Sequence, residues 1–314
     1  MTQRALVTGA SGFVGPYLLE RLRSSGYDVV AAGGPQETSS EFLPVDLGDP
    51  QSLNAAFDIA EPAVVFHLAA QSFVPRSIEA PQETYEANVT GTANMLEALR
   101  AWRDRSKNDA RFLFVSSAEV YGAQDGGSRP IDESAPLHPA NPYAASKAAA
   151  EAIVLGEAQT FGIDAVIARA FNHIGPRQSD RFVVPSFAAQ LAAIAGGAEP
   201  VLYVGNLEAK RDFLDVRDVV GAYAALAEHG KRCEIYNVCS GTATSIRDIL
   251  AELIRIAHVP VEVRDDPQRM RPSDVPVLYG SNEKIRTEVG WSPGISLRRS
   301  LQDIYTYAKM SRAV

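Results

Sequence analysis

Tyr143 and Lys147 stand four residues apart in the stretch Tyr143-Ala144-Ala145-Ser146-Lys147. Asn141-Pro142-Tyr143 before them reads as N-cap, first helical residue and helix start, so both side chains fall on one helical face. A free phenol, with a pKa of about 10, is a poor acid or base at neutral pH. A neighbouring ammonium favours the phenolate and moves that value toward the range useful for proton transfer. Lys147 is also placed to hydrogen-bond a ribose. Alone, Tyr-x-x-x-Lys usually marks an exposed helix pair.

The context that changes this reading is Thr8-Gly9-Ala10-Ser11-Gly12-Phe13-Val14-Gly15, which follows the apolar run Ala5-Leu6-Val7. Gly9, Gly12 and Gly15 are spaced three apart between a strand and a helix, with Ser11, Phe13 and Val14 between them. Glycines there permit a tight turn, a close backbone approach to a pyrophosphate and close helix–sheet packing. The helix start adds free N–H groups and a positive dipole end. A bound dinucleotide and a phenol beside an ammonium together describe movement of a hydride and a proton at a carbinol or ketone.

Three further positions bear on that chemistry. Ser116-Ser117-Ala118-Glu119 follows the run Phe112–Val115, at the sheet edge where ligands bind. Ser117 is the hydroxyl expected to donate to a substrate oxygen beside Tyr143, and otherwise it is a turn-former. Glu119 is either a base at a neighbouring carbon or a solvated loop acid. Asp46-Leu47 either brings a carboxylate near an adenine or opens a helix. The second strand run ends Ala32-Gly33-Gly34-Pro35. Neither an acid for a ribose 2′-hydroxyl nor an arginine for a 2′-phosphate stands there. The missing acid removes a repulsion, so the sequence leans to NADP(H) over NAD(H).

These residues need a scaffold, and the chain supplies one. Apolar runs recur at 28–32, 64–68, 112–115 and 165–168, with helical segments between them, one of them opening at Asp49-Pro50. Strands apolar on both faces that alternate with helices form a parallel sheet covered on both sides. The fold expected is α/β, a doubly wound, Rossmann-like parallel sheet with a smaller, interleaved C-terminal lobe. Residues 1–171 form the dinucleotide-binding domain, 212–240 return to it through the strand Ile235–Val238, and 172–211 with 241–314 form the substrate lobe. Ser245 and Ser296 are expected to cap helices of that lobe.

Composition narrows the partners. The 314 residues are 46% hydrophobic and 22% charged, with formal net charge −8, which suits a large core and argues against nucleic-acid backbones. Cys233 and Cys239 show no metal-ligand pattern and read as reduced thiols. No metal is expected. No apolar stretch is long enough to span a bilayer, and no signal peptide is evident, so a soluble cytoplasmic protein is expected. Small residues on the 143–161 helix (Ala144, Ala145, Ala148, Ala149, Ala152), beside the 92–103 helix, suggest a homodimer.

With these residues assembled, the chain resembles the extended short-chain dehydrogenase/reductases over essentially its whole length. The segments that carry the resemblance are TGASGFVG, HLAAQ, NVTGT, SSAEVYG, YAASK and RDFLDVRDVV. RAFNHIGPRQS, VGNLEAKRDF, YNVCSG and RPSDVP are similar to the branch that acts on GDP-linked 4-keto-6-deoxy sugars. Within it, FNHIGP, RPSDVP and Gly290-Trp291-Ser292-Pro293 are closer to reductases than to 4,6-dehydratases. Gly33-Gly34-Pro35 departs from the dehydratases, which usually carry a basic residue and an extended loop there.

The resemblance implies reduction of the C4 ketone of GDP-4-keto-6-deoxy-D-mannose by NAD(P)H. The product would be GDP-D-rhamnose or its C4 epimer. It places Leu68, Ala69 and Ala70 beside the cofactor. In the substrate site it places Asn172 near the sugar diphosphate, Val183 among the substrate-binding residues, and Arg211 and Arg271 on the diphosphate. Asn206 and Leu207 would lie by the guanine, and Asp274 on its ribose. Guanidinium forks suit phosphate oxygens. Without the resemblance both arginines would read as surface residues. The competing readings are a dehydratase or epimerase that recycles its cofactor, and a non-catalytic dinucleotide sensor.

Overall fold

Strands that are apolar on both faces require helices on both faces, and the computed structural model has that arrangement. It describes residues 3–124, 129–269 and 275–312. The first half runs β1 (Arg4–Thr8), α1 (Gly15–Ser24), β2 (Asp28–Gly33), β3 (Leu43–Pro44), α2 (Pro50–Ala60) and β4 (Val64–His67). It continues through α3 (Val74–Glu79), α4 (Pro81–Tyr85), a π-helical turn (Glu86–Thr90), α5 (Gly91–Ser106) and β5 (Arg111–Ser117). A 3-10 turn (Ala118–Tyr121), α6 (Pro142–Phe161) and β6 (Ala165–Ala170) complete this half.

The second half continues the alternation with shorter strands. It contains β7 (Asn172–Ile174), α7 (Val183–Ala195), β8 (Val201–Val204), β9 (Lys210–Asp215), α8 (Val216–His229) and β10 (Ile235–Val238). Then follow β11 (Ala243–Ser245), α9 (Ile246–Ala257), β12 (Glu262–Asp265), β13 (Val277–Leu278), α10 (Glu283–Val289) and α11 (Leu297–Arg312).

The main sheet has seven strands in the order β10-β6-β5-β4-β1-β2-β3, and every pairing is parallel. Strand order reverses between β1 and β4. In open α/β sheets that crevice is where ligands bind. Leu18, Leu22, Tyr223 and Ile285 cover one face with α1, α8 and α10. Leu53, Phe57, Leu96, Trp102 and Val154 cover the other with α2, α5 and α6.

A second core joins α7, α9 and α11 around Phe187, Leu191, Leu253 and Ile304. Its small sheet pairs β9 with β11, β13 and β7. The two parts are tied by Asp212, which is fully buried. Its carboxylate accepts the Ser240 amide at 2.7 Å, the Ser240 hydroxyl at 2.6 Å and the Gly241 amide at 2.9 Å. Ser245 caps α9 through the Asp248 amide, and Ser296 accepts the Arg299 amide at the start of α11. Among the described residues, no helix is long and apolar enough to cross a membrane. Both cysteines are unpaired.

Candidate active site

A cavity of about 840 Å³ opens at the carboxyl edge of the main sheet, beneath the switch point. The glycine loop forms one wall, with Gly9, Ser11, Gly12, Phe13 and Val14 lining the cavity. The three glycines have different reasons to be glycine. Gly9 has φ +68°, and a Cβ there would lie 2.7 Å from the Ala69 nitrogen. Gly15 faces away from the cavity, and a Cβ there would fall 1.9 Å from the Ala10 carbonyl oxygen. Gly12 is the least crowded of the three: its Cβ would meet only the Gly9 oxygen, a tight 3.2 Å away. With no side chain on the lining Gly12, a diphosphate can approach the start of α1. These residues therefore fit a dinucleotide.

Leu68, Ala69 and Ala70 line the cavity between the glycine loop and α3. Asp46 and Leu47 line the cavity at the end beside Gly33 and Gly34. Asp49, rather than Asp46, caps α2, by accepting the Gln51 amide at 2.9 Å. Asp46 instead accepts the Gly48 amide at 2.8 Å. Leu47 packs where a Gly91 side chain would be, and Asn94 donates to its carbonyl.

At the other end, the chemistry-bearing side chains are buried. Tyr143 is 8% exposed, Lys147 4% and Ser117 9%, and all three line the cavity with Glu119. Asn141 caps α6 through the Ala144 amide at 2.8 Å, and its side-chain NH₂ reaches Glu119 at 3.4 Å. One residue thus ties the helix that carries Tyr143 to the loop acid. Burial pushes the Tyr143 phenol up to about 12; a hydrogen bond with Ser117 opposes the shift and the Glu119 charge adds to it. The expected lowering by Lys147 is not found: burial sets the direction, and the ammonium donates instead to the Val115 carbonyl, 2.8 Å away. Burial brings Lys147 down to about 8, against the charge of Glu151. The phenol stays neutral at physiological pH, which is the form that donates a proton.

Two groups outside the glycine-loop and Tyr-x-x-x-Lys motifs brace this end. Glu151, one turn beyond Lys147, forms a buried ion pair with Arg169 at 2.7 Å and accepts the Ser116 hydroxyl. Arg169 donates to the Tyr121 hydroxyl at 2.9 Å, which donates to Asn237 at 2.7 Å. Such a pair is tolerated when each charge is fully hydrogen-bonded. The second group is His67, packed between Thr8 (2.8 Å) and Thr92 (3.2 Å). Thr92 donates to the Asn88 carbonyl, so it accepts from the imidazole Nε2–H and leaves Nδ1 to accept from Thr8. Burial, then the Lys147 charge, drives His67 down to about 3, and the ring is neutral. Asn88, in the π-helical turn, holds both the Gln71 backbone and Ser146 on α6.

The second lobe meets the cavity at the 172–178 loop. Asn172 lines it, and His173 stacks on Phe13 with the rings 4° from parallel. Tyr17 fixes the same loop through the Pro176 carbonyl at 2.7 Å. Val183 packs against the lobe core, while Phe182 before it lines the cavity and meets Phe73 edge to face.

Asn206, Leu207 and Arg211 lie beyond that lining. Asn206 accepts the Glu208 amide, Leu207 packs on the lobe core, and Arg211 donates to the Val275 carbonyl at 2.6 Å. Arg271 and Asp274 lie outside the described residues. The residues flanking them are close by. A Cβ on Gly205 would meet the Arg269 carbonyl at 2.4 Å, and Arg211 holds Val275.

The sequence and fold are shared with known proteins. A model of the family described as GDP-mannose 4,6 dehydratase matches residues 6–304. The chain belongs to that family. It is 41% identical, over 97% of its length and 96% of the relative's, to the GDP-6-deoxy-D-mannose reductase of Pseudomonas aeruginosa. The structure of RMD from the same organism, complexed with NADPH, superposes with a TM-score of 0.89 at 38% identity, covering 99% of this chain and 100% of that one. A UDP-glucose 4-epimerase from Thermus thermophilus, complexed with NAD, has a TM-score of 0.87 at 31% identity over 98% and 99%.

Proposed function

We propose that the chain is an NAD(P)-dependent reductase that converts GDP-4-keto-6-deoxy-D-mannose to GDP-D-rhamnose, or to its C4 epimer GDP-6-deoxy-D-talose. The observation that carries this reading is the neutral, buried Tyr143 phenol beside Ser117, in a chain whose match to a reductase runs through both lobes. When bound, the reduced nicotinamide supplies a hydride to C4. Tyr143 then gives its proton to the C4 oxygen as negative charge develops there. Ser117 hydrogen-bonds the same oxygen and orients the carbonyl. Lys147, still cationic below about 8, binds the cofactor ribose. Ketone, hydride and proton sum to the secondary alcohol.

Residues 1–171 with 212–240 hold the dinucleotide in this reading, and 172–211 with 241–314 hold the GDP-sugar. Asn172 meets the sugar diphosphate, with Val183 behind it. Arg211 and Arg271 pair with the diphosphate, Asn206 and Leu207 lie by the base, and Asp274 takes its ribose. Two copies pair through α5 and α6, where Ala149 and Ala152 are exposed, and the enzyme works in the cytoplasm.

The test is to mix the protein, NADPH or NADH, and the 4-keto sugar nucleotide. Loss of reduced-nicotinamide absorbance with formation of a GDP-6-deoxyhexose is expected. No turnover, or conversion of GDP-mannose without added reductant, would overturn the reading, and the latter outcome would give Glu119 the role of a base.

A further inference from the structure

Around the chemical end of the cavity the buried polar groups are bonded: His67 to two threonines, Lys147 to the Val115 carbonyl and Glu151 to Arg169. Tyr223 differs. It is fully buried on α8, and its hydroxyl has no hydrogen-bond partner among the described residues. A buried hydroxyl without a partner is costly, and phenylalanine would fill the same space without that cost. The phenol therefore asks for a partner that the chain itself does not supply.

The direction of α8 shows where that partner sits. Val216, its first residue, and Phe13 of the glycine loop both crowd the point where a Gly175 Cβ would lie, at 2.6 and 3.5 Å. Its last turn gives the Leu226 and Ala227 carbonyls to Arg111, at the start of β5. The helix thus descends from the carboxyl edge of the main sheet to the amino edge. Helical side chains lean toward the helix N-terminus, so the Tyr223 ring rises toward the cavity, which it lines. It packs in one core cluster with Leu68, Val115 and Ala170, which line the cavity too. Burial drives its pKa up, and the Tyr143 phenol nearby adds to this, so Tyr223 is a neutral O–H donor.

We propose that the Tyr223 hydroxyl donates a hydrogen bond to the carboxamide oxygen of the bound nicotinamide, and so holds the ring for hydride transfer. α6, which carries Lys147, covers one face of the sheet, and α8 covers the other. The ends of β5 and β6 lie between them. With the cofactor ribose on Lys147, a ring that crosses those strand ends brings its carboxamide, its polar substituent, toward α8. The hydroxyl is then unpaired in the free protein and paired in the loaded one. The proposal rests on the family's nicotinamide cofactor and not on the sugar substrate, so it stands or falls separately from the reductase reading.

Titration of the cofactor-free protein with NADH, with NADPH and with ADP-ribose, which keeps both riboses but lacks the nicotinamide, tests it. Tyr223→Phe should weaken both reduced cofactors about five- to tenfold, the scale of one hydrogen bond. Its affinity for ADP-ribose should match that of the wild type. The thermal midpoint of the variant without ligand should equal or exceed the wild type's, because the ring stays and only the unpaired hydroxyl goes. Unchanged affinity for the reduced cofactors, a matching loss for ADP-ribose, or a lower midpoint without ligand would overturn the proposal.

Discussion

The two ends of the cavity are built by opposite means. At the Tyr143 end, titratable side chains are buried and braced: Lys147, Glu151 and Arg169 are 4%, 2% and 3% exposed. At the glycine-loop end, the walls are backbone and small residues, with Gly34 and Pro35 exposed. A proton donor must keep a fixed place and a tuned pKa, so it is held by core packing. The glycine-loop end needs only backbone amides and the space that small residues leave.

The largest effect should come from Tyr143→Phe. Turnover should fall on the order of a thousandfold, the scale of lost general-acid catalysis, while NADH binding is retained. A variant that kept full turnover would break the contrast between the ends.

Next is the brace. Arg169→Met leaves Glu151 as an unpaired buried charge and should cost about 3–5 kcal/mol in urea unfolding. Glu151→Gln added to it should recover part of that loss. By contrast, removing the exposed Glu208 partner of Arg247 should leave the midpoint unchanged.

Two pH dependences sharpen the comparison. Lys147 is cationic below about 8 and neutral above it. The kcat/KM for reduced cofactor, which reports groups of the free enzyme, should therefore fall as pH rises through that value, with no loss of the Tyr143 proton until about 12. Stability should respond on the acid side. The folded His67 value of about 3 lies below the ordinary 6.5, so the unfolded chain takes up the proton first. Stability is full above about 6.5 and declines as pH falls toward 3. Urea midpoints at stepped pH should show this decline, and His67→Gln should flatten it. The smallest effect is Asn141→Ala, which removes the α6 cap and should cost about 1 kcal/mol.

Much of this was legible in the sequence, for identifiable reasons. Apolar periodicity located β1, β2, β4, β5, β6 and β10, because strands covered on both faces have no polar side to disguise them. The glycine spacing and the Tyr143/Lys147 spacing are local, and local patterns survive without a structure. What burial does to a charge is not local. Spacing put Lys147 on the face of Tyr143, but the Val115 carbonyl that claims its ammonium comes from the neighbouring strand. Arg169 inside the apolar run Ala165–Ala170, with Glu151 one turn after Lys147, is the sequence signal of the buried pair.

The central claim is that a hydride reaches C4 while Tyr143 supplies the proton. Incubating the protein with reduced cofactor deuterated at the nicotinamide C4 and GDP-4-keto-6-deoxy-D-mannose, then recording the NMR spectrum of the product, tests it directly. The account predicts a GDP-6-deoxyhexose with deuterium at C4 from the wild type, and near-absence of product from Tyr143→Phe with cofactor still bound. Label that stays on the cofactor, or equal yield from the phenylalanine variant, would contradict it.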